Sequence, residues 1–413
     1  MPFEFDVAVI GGGPAGMMAA GRAAELGAKV ALIEKNARPG RKLLMTGGGR
    51  CNLANAVYDT RALVGKYGPK GKFLYQAFSV FGVKETVEFF EGRGLKLKTE
   101  QGSRIFPATD RAADVLACLL GYMRKGGVKI ISGSAVTGLD AEGGRIAAAI
   151  LAEQAVWSKK FILCTGGRSY PATGSTGEAF TWLKKLGHAV TPLTPGLVPV
   201  TVREAWVKDA EGASLGDAGA SLYVGGRKRA QFRGEAVFTR GGLSGPMVLD
   251  MSGKVRELMA EGEVTVALDL AADVGPGELD ALLQEVFREG GGRLVRNSVE
   301  GVVSPKLVPL VLRLSGVDGD RRAAGVSKRE RQALAKNIKG LAMTVKGLGG
   351  FEKAMVTAGG VALDEVDPRT MRSRKVENLY IAGEALDIDG PTGGYNLQIC
   401  WSTGYVAGQG AAG

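Results

Sequence analysis

Gly11, Gly13 and Gly16 stand in the spacing G-x-G-x-x-G. They follow the apolar run Val7-Ala8-Val9-Ile10 and open a small-residue stretch of helical length, from Pro14 to Leu26, that closes on Gly27. The chemistry this permits is pyrophosphate binding. Gly11 allows the tight turn, Gly13 lets phosphates approach bare backbone, and Gly16 lets the helix lie close on the strand. The unpaired N–H groups at the helix start, around Pro14 and Ala15, then face the anion. A second strand, Val30-Ala31-Leu32-Ile33, ends on Glu34, 18 residues after Gly16, with Lys35 next. At that distance a carboxylate accepts hydrogen bonds from an adenosine ribose, and an acid there suits FAD or NAD rather than NADP.

A second glycine device lies near the other end of the chain. The strand Asn378-Leu379-Tyr380-Ile381-Ala382 runs into Gly383 and Glu384, and Gly393-Gly394-Tyr395-Asn396-Leu397 then opens a helix. A nicotinamide dehydrogenase has no need of such a device, whereas a flavoprotein of the glutathione-reductase type returns at its end to hold ribitol and ring. FAD is therefore the expected cofactor, with Glu384 suited to a ribitol hydroxyl. A helix N-terminus carries roughly half a positive charge and stabilises negative charge developing on a flavin ring. Cys400, Gly404 and Gly408 recur at spacing four, a small face for close helix packing. A third strand, Lys160-Phe161-Ile162-Leu163, ends on Cys164-Thr165-Gly166-Gly167, where Thr165 and Gly166 are expected to face the cofactor; Val136 is a candidate contact to the adenine.

Proton-transfer candidates are few. The single histidine, His188, follows Gly187 and reads as a structural residue at a helix end. Histidine-driven acid–base chemistry and histidine metal sites are thereby set aside, and no metal site is expected. Tyr170, in GGRSYPATGSTG, and Tyr395 remain as proton donors or as packing residues. Gly47-Gly48-Gly49 followed by Arg50-Cys51-Asn52 is a backbone-exposing turn beside a cation and an amide, suited to a flavin edge. Against that, Cys51 reads equally as a small buried hydrophobe, and Arg50 as the partner of a nearby carboxylate.

Three stretches, GRKLLMTGGGRCNLAN, FTRGGLSGPMVLDMS and AGEALDIDGPTGGYNLQ, together resemble the BaiN-like, or YhiN-type, flavoproteins, some of which carry the label aminoacetone oxidase family FAD-binding enzyme. The resemblance implies a glutathione-reductase-type two-dinucleotide fold: an α/β FAD domain split between the chain ends, with β-rich and small helical domains inserted. It places Arg41 and Lys42 near the cofactor and the loop from Thr46 through Gly47, Gly48 and Gly49 to Asn52 beside the flavin. It implies a FAD-dependent oxidoreductase, with one branch reducing activated C=C bonds in steroid-like substrates. The family loop often carries Asn or Ser where this chain has the glycines, so any flavin tuning by that side chain is absent here.

Four segments are expected: 1–190 for the first part of the FAD domain, 191–275 for a β-rich domain, 276–345 for a helical domain and 346–413 for the return. Prolines 192, 195 and 199 mark the first crossing; Val264 to Leu270 alternates with period two; Ser304-Pro305 and Ser327-Lys328-Arg329-Glu330 read as helix starts. Glycine, at 64 residues, is about twice its usual ~7% share, as bare backbone against a bulky ligand requires. The four cysteines form no CxxC pair, the start from Met1-Pro2 runs straight toward a strand with no signal peptide, and no run of 18 apolar residues occurs. A cytoplasmic protein without a membrane partner is expected. The net charge is +11, yet aromatics are only 7% and none interleaves with the basic cluster Arg227, Lys228, Arg229 and Arg233, which argues against a nucleic-acid partner. A small-molecule substrate fits better, reduced as an enone or oxidised as an amine. The alternatives of another class are a tRNA-modifying flavoprotein and a flavin-binding protein without turnover. The absence of a second G-x-G-x-x-G leaves NAD(P)H at most a transient reductant, and no obligate protein partner is legible.

Overall fold

Val7, Ala8 and Val9 have no exposed surface, and neither do Ala31 and Leu32. Successive apolar positions bury both faces of a strand, which a parallel sheet covered by helices demands. The computed structural model describes residues 4–413; the expectation for Met1 and Pro2 lies outside the described residues. Strands β1 (Phe5–Ile10), β2 (Val30–Glu34), β3 (Lys129–Ser132), β4 (Val136–Glu142), β5 (Arg145–Leu151), β6 (Ala155–Leu163) and β7 (Leu379–Ile381) form one sheet in the order β3-β2-β1-β6-β5-β4, with β7 also paired to β6. β3, β2, β1, β6 and β7 run parallel to one another, while β5 pairs antiparallel with both β6 and β4. In register, Ile10 faces Ile33 on one side and Leu163 on the other, so three strand ends meet at one level.

Helix α1 (Pro14–Glu25) leaves β1 through the glycine turn, and α2 (Tyr395–Ala412) closes the chain. They lie directly against each other. A Cβ at Gly404 would sit 2.4 Å from the Ala15 carbonyl oxygen, and one at Gly408 would sit 2.4 Å from that of Ala19. The spacing-four face read from the sequence is thus where the chain's two glycine devices touch.

The chain divides into two compact units, 1–196 with 351–413, and 197–350. Each has its own buried core. The second unit holds a closed six-stranded barrel in the order Val200–Val202, Gly242–Ser244, Arg227–Thr239, Ser214–Val224, Val264–Asp269 and Leu341–Leu348. Val264, Val266 and Leu268 are buried, as their alternation requires. The hairpin turn falls on Gly225 and Gly226, at φ 56° and 75°. Helices Pro276–Glu289, Val295–Val299, Val308–Ser315 and Lys328–Lys339 lie between the last two barrel strands in sequence. Ser327 and Glu330 form the reciprocal capping box. Ser304 differs from its reading: it precedes a single 3-10 turn, Pro305–Leu307, and its hydroxyl makes no cap. The barrel-closing strand Leu341–Leu348 also begins inside the stretch expected to be helical.

Candidate functional site

A cleft in the first unit opens above the ends of β1, β2 and β6, with about 1200 Å³ of atom-free space including its mouth. Ligands of parallel α/β sheets sit at such strand ends. The glycines of the first turn divide their work. A Cβ at Gly16 would lie 1.8 Å from the Gly11 oxygen, and one at Gly11 would lie 2.5 Å from the Cys164 oxygen, so both pack backbone on backbone. Gly13 lines the cleft, and its Cβ would meet nothing within 4 Å. Gly383, Glu384, Asn396 and Leu397 border the same cleft, so both devices wall one space.

Most residues singled out in the sequence come together here: Gly11, Gly13, Pro14, Ala15, Glu34, Lys35, Arg41, Lys42, Thr46, Val136, Thr165, Gly166, Gly383, Glu384, Asn396 and Leu397 line the cleft. Gly16, Gly47, Gly48, Gly49, Asn52, Gly393, Gly394 and Tyr395 do not. Gly47, Gly48 and Gly49 are three consecutive left-handed residues, at φ 57°, 66° and 88°, that turn the chain back so that the Cys51 N–H meets the Thr46 oxygen at 2.9 Å. A Cβ at Gly394 would lie 2.4 Å from the Ala54 oxygen, which makes it a packing glycine.

Glu34 is buried and already well used. One carboxylate oxygen accepts from the Gly12 N–H at 2.8 Å, the other from the Asn36 N–H and Nδ2 at 2.7 Å each. Three of its roughly four acceptor positions therefore hold the turn. Lys42 donates to Glu384 at 2.9 Å and to Ser169 Oγ at 2.6 Å. The second Glu384 oxygen accepts from Ser169 Oγ at 2.6 Å and from the Thr357 N–H at 3.0 Å. Four segments far apart in sequence are tied at one carboxylate. Lys35 points elsewhere, donating to Thr176 and Glu178 at 2.9 Å each, while Asn36 Nδ2 reaches the Thr173 oxygen at 3.0 Å. These bonds fasten the 173–178 loop to the end of β2. That loop, Asn36, Ser134 and Trp182, with Met355 and Val356, line the cleft without having been read from the sequence. The Gly/Ser/Thr density of GSTG was the available signal for the loop.

The cleft fits a dinucleotide on two observations. The space in front of Gly13 is the kind a Cβ would fill. Thr165 Oγ1 is buried, borders the cleft and has no hydrogen-bond partner. Asn396 already spends its amide on Gly390 and Pro391, shaping the loop that precedes α2.

None of the four proton-transfer or flavin-edge candidates lines the cleft. Cys51 is fully buried, and burial pushes its thiol up to about 12, so it is an inert hydrophobe. Arg50 pairs with Glu100 and Asp110 at 2.5 Å each and lies 4.1 Å above the Phe106 ring. Tyr395 packs edge-on against Tyr67, and its backbone oxygen accepts from the Tyr67 hydroxyl at 2.9 Å. Tyr170 sits at φ 47° and starts a 3-10 turn.

His188 is buried away from the cleft, which bears out its structural reading. Its Nδ1 lies 3.1 Å from Glu365 Oε2 and its Nε2 lies 2.9 Å from Ser373 Oγ. Ser373 Oγ already accepts the N–H groups of Lys375 and Val376, so its proton must go to Nε2. That assigns the Nδ1–H tautomer, donating to Glu365. Burial holds the ring below the ordinary histidine value of 6.5, against the opposing pull of Glu365. Burial raises Glu365, but the Ala189 N–H, His188 and Lys375 outweigh it and keep that carboxyl low. With a depressed folded pKa, the unfolded chain takes the proton first. The contribution is therefore complete above 6.5 and is lost as pH falls below it. A melting temperature that drops between about pH 7.5 and about pH 5.5, by less in His188→Gln than in the parent, is expected. An equal drop in both proteins would remove His188 from the account.

The HI0933-like protein Rossmann domain model matches residues 5–410. The chain belongs to the HI0933-like family. Among relatives of this HI0933-like chain is the 3-dehydro-bile acid delta(4,6)-reductase of Clostridium scindens, 33% identical over 98% of each chain. Another is the ribosomal RNA dihydrouridine synthase of Escherichia coli, 29% identical over 98% of each. In fold it is similar to a 3-ketosteroid-delta4-(5alpha)-dehydrogenase of Rhodococcus jostii, with TM-score 0.56 at 14% identity, covering 100% of this chain and 97% of that one. Among the described residues no helix is long and apolar enough to cross a membrane.

Proposed function

We propose that this protein binds FAD in the cleft and reduces a carbon–carbon double bond conjugated to a carbonyl. The observation that carries the reading is that both glycine devices, at Gly11 and at Gly383, wall one cleft although distant in sequence. Bound FAD in its reduced form supplies a hydride for the β-carbon of such a substrate, and the α-carbon takes a proton. The chain supplies the setting. Gly13 clears room for pyrophosphate, Thr165 Oγ1 offers an unspent hydroxyl, and the Lys42–Glu384–Ser169 group fixes a carboxylate beside the return loop. The first turn of α2 presents its dipole at the other end. His188 is no proton source, since both ring nitrogens are engaged in the interior.

A small unsaturated ketone fits this reading and the bile-acid relative's name. A second reading is favoured by the Escherichia coli relative and by the net charge of +11: the substrate is a uridine in RNA, whose C5=C6 bond is likewise conjugated to a carbonyl. One reaction class covers both. The four cysteines are free in this structure, which suits the reducing cytoplasm proposed for it.

The test is anaerobic. The yellow protein is expected to bleach with NADH or NADPH and to recover colour on adding a steroid dienone or a uridine-containing RNA. Bleaching by amines alone would replace the reductase reading with an oxidase one. At the adenosine end, Glu34→Ala removes the anchor of Gly12 and Asn36 and should weaken FAD binding by about 1–3 kcal/mol. Equilibrium dialysis giving an unchanged dissociation constant would take Glu34 out of the site.

A further inference from the structure

The chain's charge is divided unevenly. The first unit holds 31 basic and 23 acidic residues, a net +8, and the second 22 and 19, a net +3. Of the basic cluster most evident in sequence, Arg229 and Arg233 are neutralised where they stand, while Arg227 and Lys228 have no carboxylate partner among the described residues. Arg229 pairs with Glu261 at 2.5 Å, Arg233 with Asp217 at 2.5 Å and with Asp273, and Lys228 donates to Gln231. In a different stretch, 58–75, three of the four cations are left unpaired, and its one acid, Asp59, caps a helix at the Ala62 N–H. Arg61, Lys66 and Lys72 are exposed and have no carboxylate partner among the described residues, while Tyr58 and Tyr75 are 59% and 46% exposed. The three cations thus lie in sequence between two open aromatic rings, across a run of three short helices, Thr60–Gly65, Gly68–Leu74 and Tyr75–Val80.

This stretch is fastened to the ring side of the cleft. The Tyr67 hydroxyl donates to the Tyr395 oxygen at 2.9 Å, and Lys70 pairs with Asp387 at 2.5 Å. Asp387 and Tyr395 bracket the loop that leads into the first turn of α2, where Asn396 and Leu397 enter the cleft wall.

We propose that segment 58–75 is a docking surface for single-stranded RNA, with phosphates held by Arg61, Lys66 and Lys72 and unpaired bases stacked on Tyr58 and Tyr75. The inference rests on the uridine reading above and names the surface that delivers the strand to the cleft. Sequence-tolerant strand binding needs this combination, cations to follow the backbone and aromatic faces to receive bases. A membrane-binding face would pair its cations with exposed Leu, Phe or Trp. Here the only large exposed apolar side chains are the two tyrosines, with Leu63 and Leu74 buried.

The experiment follows anisotropy of a short fluorescein-labelled oligouridylate against the FAD-loaded protein from about 50 to about 200 mM salt. The parent should bind with strong salt dependence. The variant Arg61→Gln/Lys66→Gln/Lys72→Gln should bind at least about tenfold more weakly, its salt slope reduced by about 2. Tyr58→Ala/Tyr75→Ala should lose about tenfold or more. A hairpin variant, Arg227→Gln/Lys228→Gln, should bind as the parent does, and all should keep the parent's flavin absorbance per protein. Parent-like affinity of the triple variant, with the parent binding well, would overturn the surface and leave the uridine reading standing. Failure of the parent to bind at low salt would overturn that reading and the surface together. Binding of phosphatidylglycerol vesicles but not the oligonucleotide would reassign the surface to lipid.

Discussion

Gly13→Val is expected to yield a soluble, folded protein with no bound flavin. Gly13 has φ −80°, which a β-branched residue adopts without strain, and its Cβ would meet nothing within 4 Å. The fold therefore loses little beyond a modest helix-cap penalty, ~1 kcal/mol or less. What the side chain does fill is the cleft in front of α1, where the pyrophosphate would lie. Gly16→Val supplies the contrast. With its Cβ 1.8 Å from the Gly11 oxygen, it should disrupt the turn itself and cost solubility or melting temperature. Visible absorbance per protein, circular dichroism and a melting curve separate the two. Gly13→Val should melt like the parent stripped of flavin, because only the ligand's contribution is gone. A fully yellow Gly13→Val preparation would refute the phosphate assignment.

Gly404→Ala offers a test by sign. In a solvent-facing helix interior, Gly to Ala stabilises by about 1 kcal/mol. Here the added methyl would lie 2.4 Å from the Ala15 oxygen, against backbone that has no room to rotate away. Overpacking of this kind costs ~1–3 kcal/mol, enough to reverse the propensity gain. Ala15 also borders the cleft, so the displaced α1 should carry flavin affinity down with stability. Gly408→Ala, against Ala19, should share the loss of stability while acting further from the cleft. A higher melting temperature for Gly404→Ala would mean that α1 and α2 pack more loosely than described.

What could be read in advance was what repeats or lies close in sequence. The opening strand, turn, helix and strand were legible because 7–10, 14–26 and 30–34 carry their own periods and punctuation. The glycines at 404 and 408 announced a tight contact without naming its partner. The closed barrel was not legible, since it depends on pairing strands distant in sequence, with Val200 opposite Leu348 and Val202 opposite Val345. Nor was the Lys42–Glu384 pair, whose members are separated by 342 positions. In GGRSYPATGSTG the tyrosine drew attention for its chemistry, yet the small residues of 173–178 form cleft wall and Tyr170 does not. Local chemistry marks such residues as available, and only the assembled sheet decides which of them face the ligand.

The stacking of α2 on α1 also sets an order of events during synthesis. The first nucleotide-binding turn is made well before the helix that backs it and the loop that completes its cleft. Until they arrive, the small-residue face of α1 has no lining and must wait, uncovered, through translation of the whole intervening barrel. The complete cleft therefore exists only once the barrel segment has been made, since its two walls come from either side of that segment in sequence.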